Sequence, residues 1–152
     1  MSKIFRYYGW IAINYHTHDI NLELQDRAIE RLNKYLKDIK LKKDTYILSR
    51  INGLDSFMVM GLDNHKNNQI IELFNWVAEN IEGSYGLLYI HDDEDFSGSY
   101  KQTYFYGDQR IDNSNKFVVW KIARGKLIRE EDPFLSPCIP IIEDPYDPMR
   151  ED

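Results

Sequence analysis

The sequence predicts an α+β fold, with a ferredoxin-like β-α-β-β-α-β core, additional C-terminal strands and an extended Pro-rich tail. Three observations carry this. Two stretches repeat apolar residues every three or four positions. Several others are dense in aromatic and β-branched residues, as strands are. An Asn-Gly pair separates two of these strand-like runs.

Residues 4–15 open with Ile-Phe-Arg-Tyr-Tyr-Gly-Trp-Ile, a strand in which Gly9 marks a bulge or a close backbone approach. Over 22–40, Ala28, Ile29, Leu32, Leu36 and Ile39 form one apolar stripe, so a helix follows, with Asp19 or Asn21 as its cap. Residues 45–51 and 57–62 read as a hairpin around Asn52-Gly53, because both turn residues tolerate positive φ. Ile70, Ile71, Phe74, Val77, Ala78 and Ile81 mark a second helix that ends near Gly83. Tyr85 to His91 is almost continuously apolar, as in a strand buried on both faces. Ser99 to Tyr106 and Phe117 to Arg124 give two more strands, and Gly125-Lys126 turns the chain into a short one at Leu127-Ile128. Beyond Asp132, Pro133, Pro137, Pro140, Pro145 and Pro148 forbid regular structure. The expected organisation is one domain over 1–142 and an acidic, frayed tail over 143–152.

Composition narrows the function. The 152 residues, 43% of them hydrophobic, suffice for one core. A single cysteine, Cys138, rules out an intrachain disulfide. No run approaches the ~20 apolar residues of a membrane span, and the N-terminus lacks a signal-peptide pattern, so a cytoplasmic protein without membrane contact is expected. The net charge of −6 is uneven: Asp92, Asp93, Glu94 and Asp95 stand together, and residues 130–152 hold eight acids against one base. That balance argues against nucleic-acid binding, which needs Lys and Arg to neutralise phosphates, and favours a basic partner or serves only solubility.

No catalytic constellation emerges. His16-Thr17-His18 lacks the tight ligand set of a zinc site, and any third ligand, His65 or His91, lies far along the chain. The acids after His91 lack the alternating spacing of a calcium loop. Cys138 sits among Pro137, Ile139 and Pro140, surroundings that raise a thiol pKa rather than activate it. No cofactor is expected. The acidic run follows a strand and leads into Phe96, so a rigid element presents it. Asp92, Asp93, Glu94 and Asp95, with Phe96, Tyr100 and Tyr104 as apolar anchors, are the candidate partner-binding residues.

Two motifs bracket the chain: Tyr7-Tyr8-Gly9-Trp10 near the start, and Asp132-Pro133-Phe134-Leu135-Ser136-Pro137-Cys138-Ile139-Pro140 near the end. Together they resemble the immunity protein 7 family of bacterial polymorphic toxin systems. The resemblance implies a protein that binds and neutralises a cognate toxin domain by stoichiometric inhibition, with no catalytic residues to carry over. It implies structural roles for Tyr7, Gly9, Trp10, Asp132, Pro133, Phe134, Pro137, Cys138 and Pro140, with Trp10 in the core. A basic nuclease is a toxin that an acidic surface would suit, and a monomer or weak homodimer is the expected state. A metal-dependent hydrolase using His16, His18 and His91, and a small-ligand regulatory domain, are the alternatives.

Overall fold

Residues 4–96, 101–103, 107–109, 112–138 and 148–149 are described in the computed structural model of the chain. The elements run β1 (Phe5–Ala12), α1 (Leu22–Asp38), β2 (Tyr46–Ile51), β3 (Leu54–Asp63), α2 (Asn68–Asn80), β4 (Tyr85–Asp92), β5 (Lys101–Thr103), β6 (Gly107–Gln109), β7 (Val118–Ala123) and β8 (Lys126–Glu131). Six strands form one sheet in the order β2-β3-β1-β4-β7-β8, and each neighbouring pair is antiparallel. The crossover through α1 joins β1 to β2 with β3 between them, and that through α2 joins β3 to β4 with β1 between them. The predicted α+β class holds, with β7 and β8 extending the sheet beyond β4.

The helices form where their stripes and caps allow. Asn21, one of the two predicted caps, accepts a hydrogen bond from the Leu24 amide at 3.1 Å, whereas Asp19 bonds the Tyr15 hydroxyl instead. Ala28, Leu32 and Leu36 of α1 are buried. Asn67, in the polar stretch before α2, caps that helix by accepting from the Gln69 amide. Ile70, Leu73, Phe74, Val77 and Ala78 of α2 are buried. Tyr35 and Trp76 stack face to face between the helices, with ring centroids 4.3 Å apart.

Strand alternation decides which residues meet these helices. Phe5, Tyr7, Gly9 and Ile11 share one face of β1; Gly9 pairs with Val59 of β3 and with Leu88 of β4. Phe57, Val59, Leu88, Ile90 and Ile122 complete that buried face. Gly9 lets α2 approach closely, because a Cβ there would lie 2.7 Å from the ring of Phe74 and 2.9 Å from Leu88. A polar tie fastens α1 to the same face. Arg50 Nε donates to the Asp55 carboxylate at 2.7 Å, and Gln25 Nε2 donates to Asp55 at 2.9 Å and to the Ile13 carbonyl at 2.7 Å.

Several expectations change. Trp10 is 43% exposed and is not a core residue, because parity turns it away once Tyr7, Gly9 and Ile11 face the helices. β4 is covered fully on one face only: Gly86, Leu88 and Ile90 are buried, whereas Tyr85 is exposed and Leu87 and Tyr89 are half-buried. Both helices lie on the opposite side. The last hairpin turns at Arg124-Gly125, with φ of 52° and 78°, like the Asn52-Gly53 turn with 52° and 78°. The final strand therefore runs over Lys126–Glu131 rather than two residues. Within the predicted strand 99–106, residues 101–103 pair with 107–109 as a separate ribbon. Tyr100, Tyr104, Pro140 and the tail apart from Pro148 and Met149 lie outside the described residues.

Candidate functional site

The acidic run begins on the last residue of β4, so the central sheet sets its position. It is a folded turn. The Asp93 amide donates to the Ile4 carbonyl at 3.1 Å, and the Ile4 amide donates to Asp93 Oδ1 at 2.9 Å. Asp92 accepts from the Glu94 amide through its side chain at 3.0 Å and from the Asp95 amide through its carbonyl at 3.0 Å. Asp95 Oδ2 accepts from Arg129 Nη2 of β8 at 3.1 Å and from Asn113 Nδ2 at 3.4 Å, while the Asn113 amide donates to the Asp95 carbonyl. Two of the four candidate acids, Asp93 and Asp95, thus bind the turn to its own domain. Glu94 and Phe96 are exposed, and Asp92 and Asp93 are half-buried. Burial, then the neighbouring carboxylates, pushes the Asp92 carboxyl up from its ordinary value, against the Glu94 amide and Lys66.

The histidines are engaged locally. His16 Nδ1 accepts from the backbone amides of His18 and Asp19 at 3.0 and 2.8 Å, which makes it a turn cap. His91 is buried. Its Nδ1 accepts from Arg6 Nε at 3.0 Å, which leaves the ring proton on Nε2, 2.7 Å from the Ser114 carbonyl. Among the described residues no three His, Cys, Asp or Glu side chains gather to hold a metal.

The Pro-containing segment after β8 is organised by Asp132, which is buried. Its carboxylate accepts from the Phe134 and Leu135 amides and the Ser136 hydroxyl at 2.8–2.9 Å. Ser136 Oγ in turn accepts from the Phe117 amide at 2.9 Å, and the Cys138 amide donates to the Asn115 carbonyl at 2.9 Å. These bonds place Phe117 over the sheet: its ring lies 6.2 Å from Tyr8, 5.8 Å from Tyr89 and 5.6 Å from the Arg6 guanidinium. Burial pushes the Cys138 thiol up, opposed by Arg6. Phe134, by contrast, is exposed.

The helix-free face of the sheet carries an exposed apolar surface. Tyr8 and Trp10 of β1, Met58, Met60 and Leu62 of β3, and Tyr85 of β4 are all large, apolar and exposed there. Ile47 and Ile51 of β2 and Leu54 continue the surface to the sheet edge. Trp10 and Tyr85 meet edge to face at 6.1 Å. The signal was present: Phe57 to Leu62 is apolar at both parities, while the two helices of the described residues cover one face of the six-stranded sheet.

The family model for immunity protein 7 matches the chain over residues 4–97 and 94–144. No curated protein and no solved structure matches it. The matched stretches include both bracketing motifs, the acidic turn and the whole six-stranded sheet. This chain therefore belongs to the immunity protein 7 family, whose members protect against polymorphic toxins.

Proposed function

We propose that the protein neutralises its cognate toxin domain by stoichiometric binding rather than by chemistry, and that the Asp92–Asp95 turn with Phe96 guides the toxin to it. The observation that carries this reading is the turn itself: acids held on a sheet strand, with Glu94 and Phe96 exposed at the surface. Charge presented by a rigid element keeps its orientation during encounter and speeds association with a basic partner. A basic nuclease is the partner that such a surface fits, and the cytoplasm is where it would be met. Tyr100 and Tyr104 remain candidate anchors, and the tail acids Glu143, Asp144 and Asp147 would add negative charge.

The test is a binding titration with the cognate toxin domain. Asp92→Asn with Glu94→Gln should lower the association rate at low salt with at most a small change in melting, since Asp92 also accepts from the Glu94 amide. Asp93→Asn and Asp95→Asn should also loosen the turn, since both acids bond within the domain. Equal association rates for the wild type and Asp92→Asn/Glu94→Gln at every salt concentration would remove the acidic turn from the account.

A further inference from the structure

The geometry points to the helix-free face of the sheet, centred on Tyr8, Trp10, Met58, Met60 and Leu62, as the surface that buries against an apolar protrusion of the toxin, rimmed by Lys and Arg. This rests on the reading that the partner is a basic toxin domain, and it names where the affinity comes from. Rim charges speed encounter but leave most of the affinity to desolvated anchors.

Area is the first argument. Nine large apolar side chains of β2, β3, β1 and β4 are exposed on this face, including Met60 at 62% and Leu62 at 67%. Half-exposed side chains of this size present on the order of 800 Å2 together. A monomer's largest apolar patch is usually about 300–600 Å2. A specific interface covers about 800 Å2 on each partner.

Composition is the second. The outward residues of β3 from Ser56 to Leu62 carry no charge, although the solvent face of an antiparallel sheet is ordinarily polar. Trp, Tyr and Met are the residue types enriched in interface centres, and Met side chains repack readily against a partner.

Continuity with the acidic turn is the third. Ile4, Arg6, Tyr8, Met60, Gly61 and Leu62 line a shallow groove of about 380 Å3. Ile4 is the residue bonded in both directions to Asp93. The apolar strip and the acids therefore share a border. A second copy of this chain, also at −6, would be repelled, whereas a basic domain would be drawn in.

The experiment titrates the same toxin domain with wild type, Met60→Glu, Leu62→Glu, and Lys34→Glu on the exposed side of α1, with melting curves for each. Met60→Glu and Leu62→Glu should each weaken binding about 30-fold or more, through faster dissociation, with melting close to wild type. Lys34→Glu should bind within about twofold of wild type, well under a tenfold step. Tyr8→Ala supplies a second, uncharged perturbation and should also speed dissociation. If the wild type binds and all face variants bind equally well, the face is not the anchor, and the partner reading stands without it. If the wild type does not bind the toxin domain, that reading fails and the anchor assignment falls with it. If sedimentation shows a wild-type dimer that Met60→Glu dissociates while toxin binding is unchanged, the occupant is a second copy and the proposal is overturned.

Discussion

Along β3, Phe57 and Val59 lie buried beneath the helices, while Met58 and Met60, one residue further on in each case, stand exposed. All four are apolar. The inner pair explains itself, since burying such side chains stabilises the fold by roughly 1.5–3 kcal/mol each. The outer pair gives the monomer little and adds an aggregation risk. The same division runs through β1, where Tyr7 and Ile11 face the core while Tyr8 and Trp10 do not. One face of the sheet thus builds the domain, and the other is furnished as if something else covers it.

The sharpest way to break that comparison is truncation on the two faces of one strand. Phe57→Ala should cost about 3–5 kcal/mol in urea unfolding, because Phe57 is fully buried against Phe74 and Tyr46. Met58→Ala should cost under about 1 kcal/mol. Similar losses would mean that the outer face is already packed in the free protein.

The next effect belongs to the polar tie on the inner face. Asp55→Asn should destabilise by about 1–3 kcal/mol near neutral pH, since it weakens a buried carboxylate's bonds to Arg50 and Gln25. Arg50 holds the Asp55 carboxyl below its usual range, opposed by burial and helped by Gln25. A lowered folded-state pKa means that this stability is present above about pH 4 and lost as pH falls through the folded value. The gap between wild type and Asp55→Asn should therefore narrow in acid. A gap that widens there would contradict the ion-pair account.

A smaller loss, about 1 kcal/mol, is expected for Asp95→Asn, which weakens the bonds to Arg129 and Asn113 at the base of the acidic turn. The smallest is on the outer face. Lys121 and Glu130 pair at 2.9 Å but are both more than a third exposed, so Lys121→Met should shift stability by no more than about 0.5 kcal/mol. Differential scanning calorimetry of the two variants side by side would rank them.

Local periodicity revealed both helices, and Asn52-Gly53 revealed its hairpin, because those signals lie within a few residues. The sequence places the last turn at Gly125-Lys126, one residue later than Arg124-Gly125, because Arg at positive φ is not a residue type that announces a turn. The core role that the family resemblance implies for Trp10 fails on strand parity, because Phe5, Tyr7 and Ile11 share a parity that excludes it. The strand that leads into the acidic turn is legible in the sequence, but the turn's bonds join residues 89, 34 and 18 positions apart, to Ile4, Arg129 and Asn113. No local spacing could separate Asp92, Asp93 and Asp95, which bond within the turn and its domain, from the exposed Glu94. The open face was likewise invisible locally, since a strand apolar on both sides reads as doubly buried until the helices are placed.

Oxidative footprinting of Met58, Met60, Trp10 and Tyr8 tests the central claim most directly, because these side chains are reactive and exposed in the free protein. Saturation with the toxin domain should slow their oxidation severalfold and leave exposed Met149 unchanged. Unchanged oxidation of all four in a saturated complex would show that the toxin is held elsewhere.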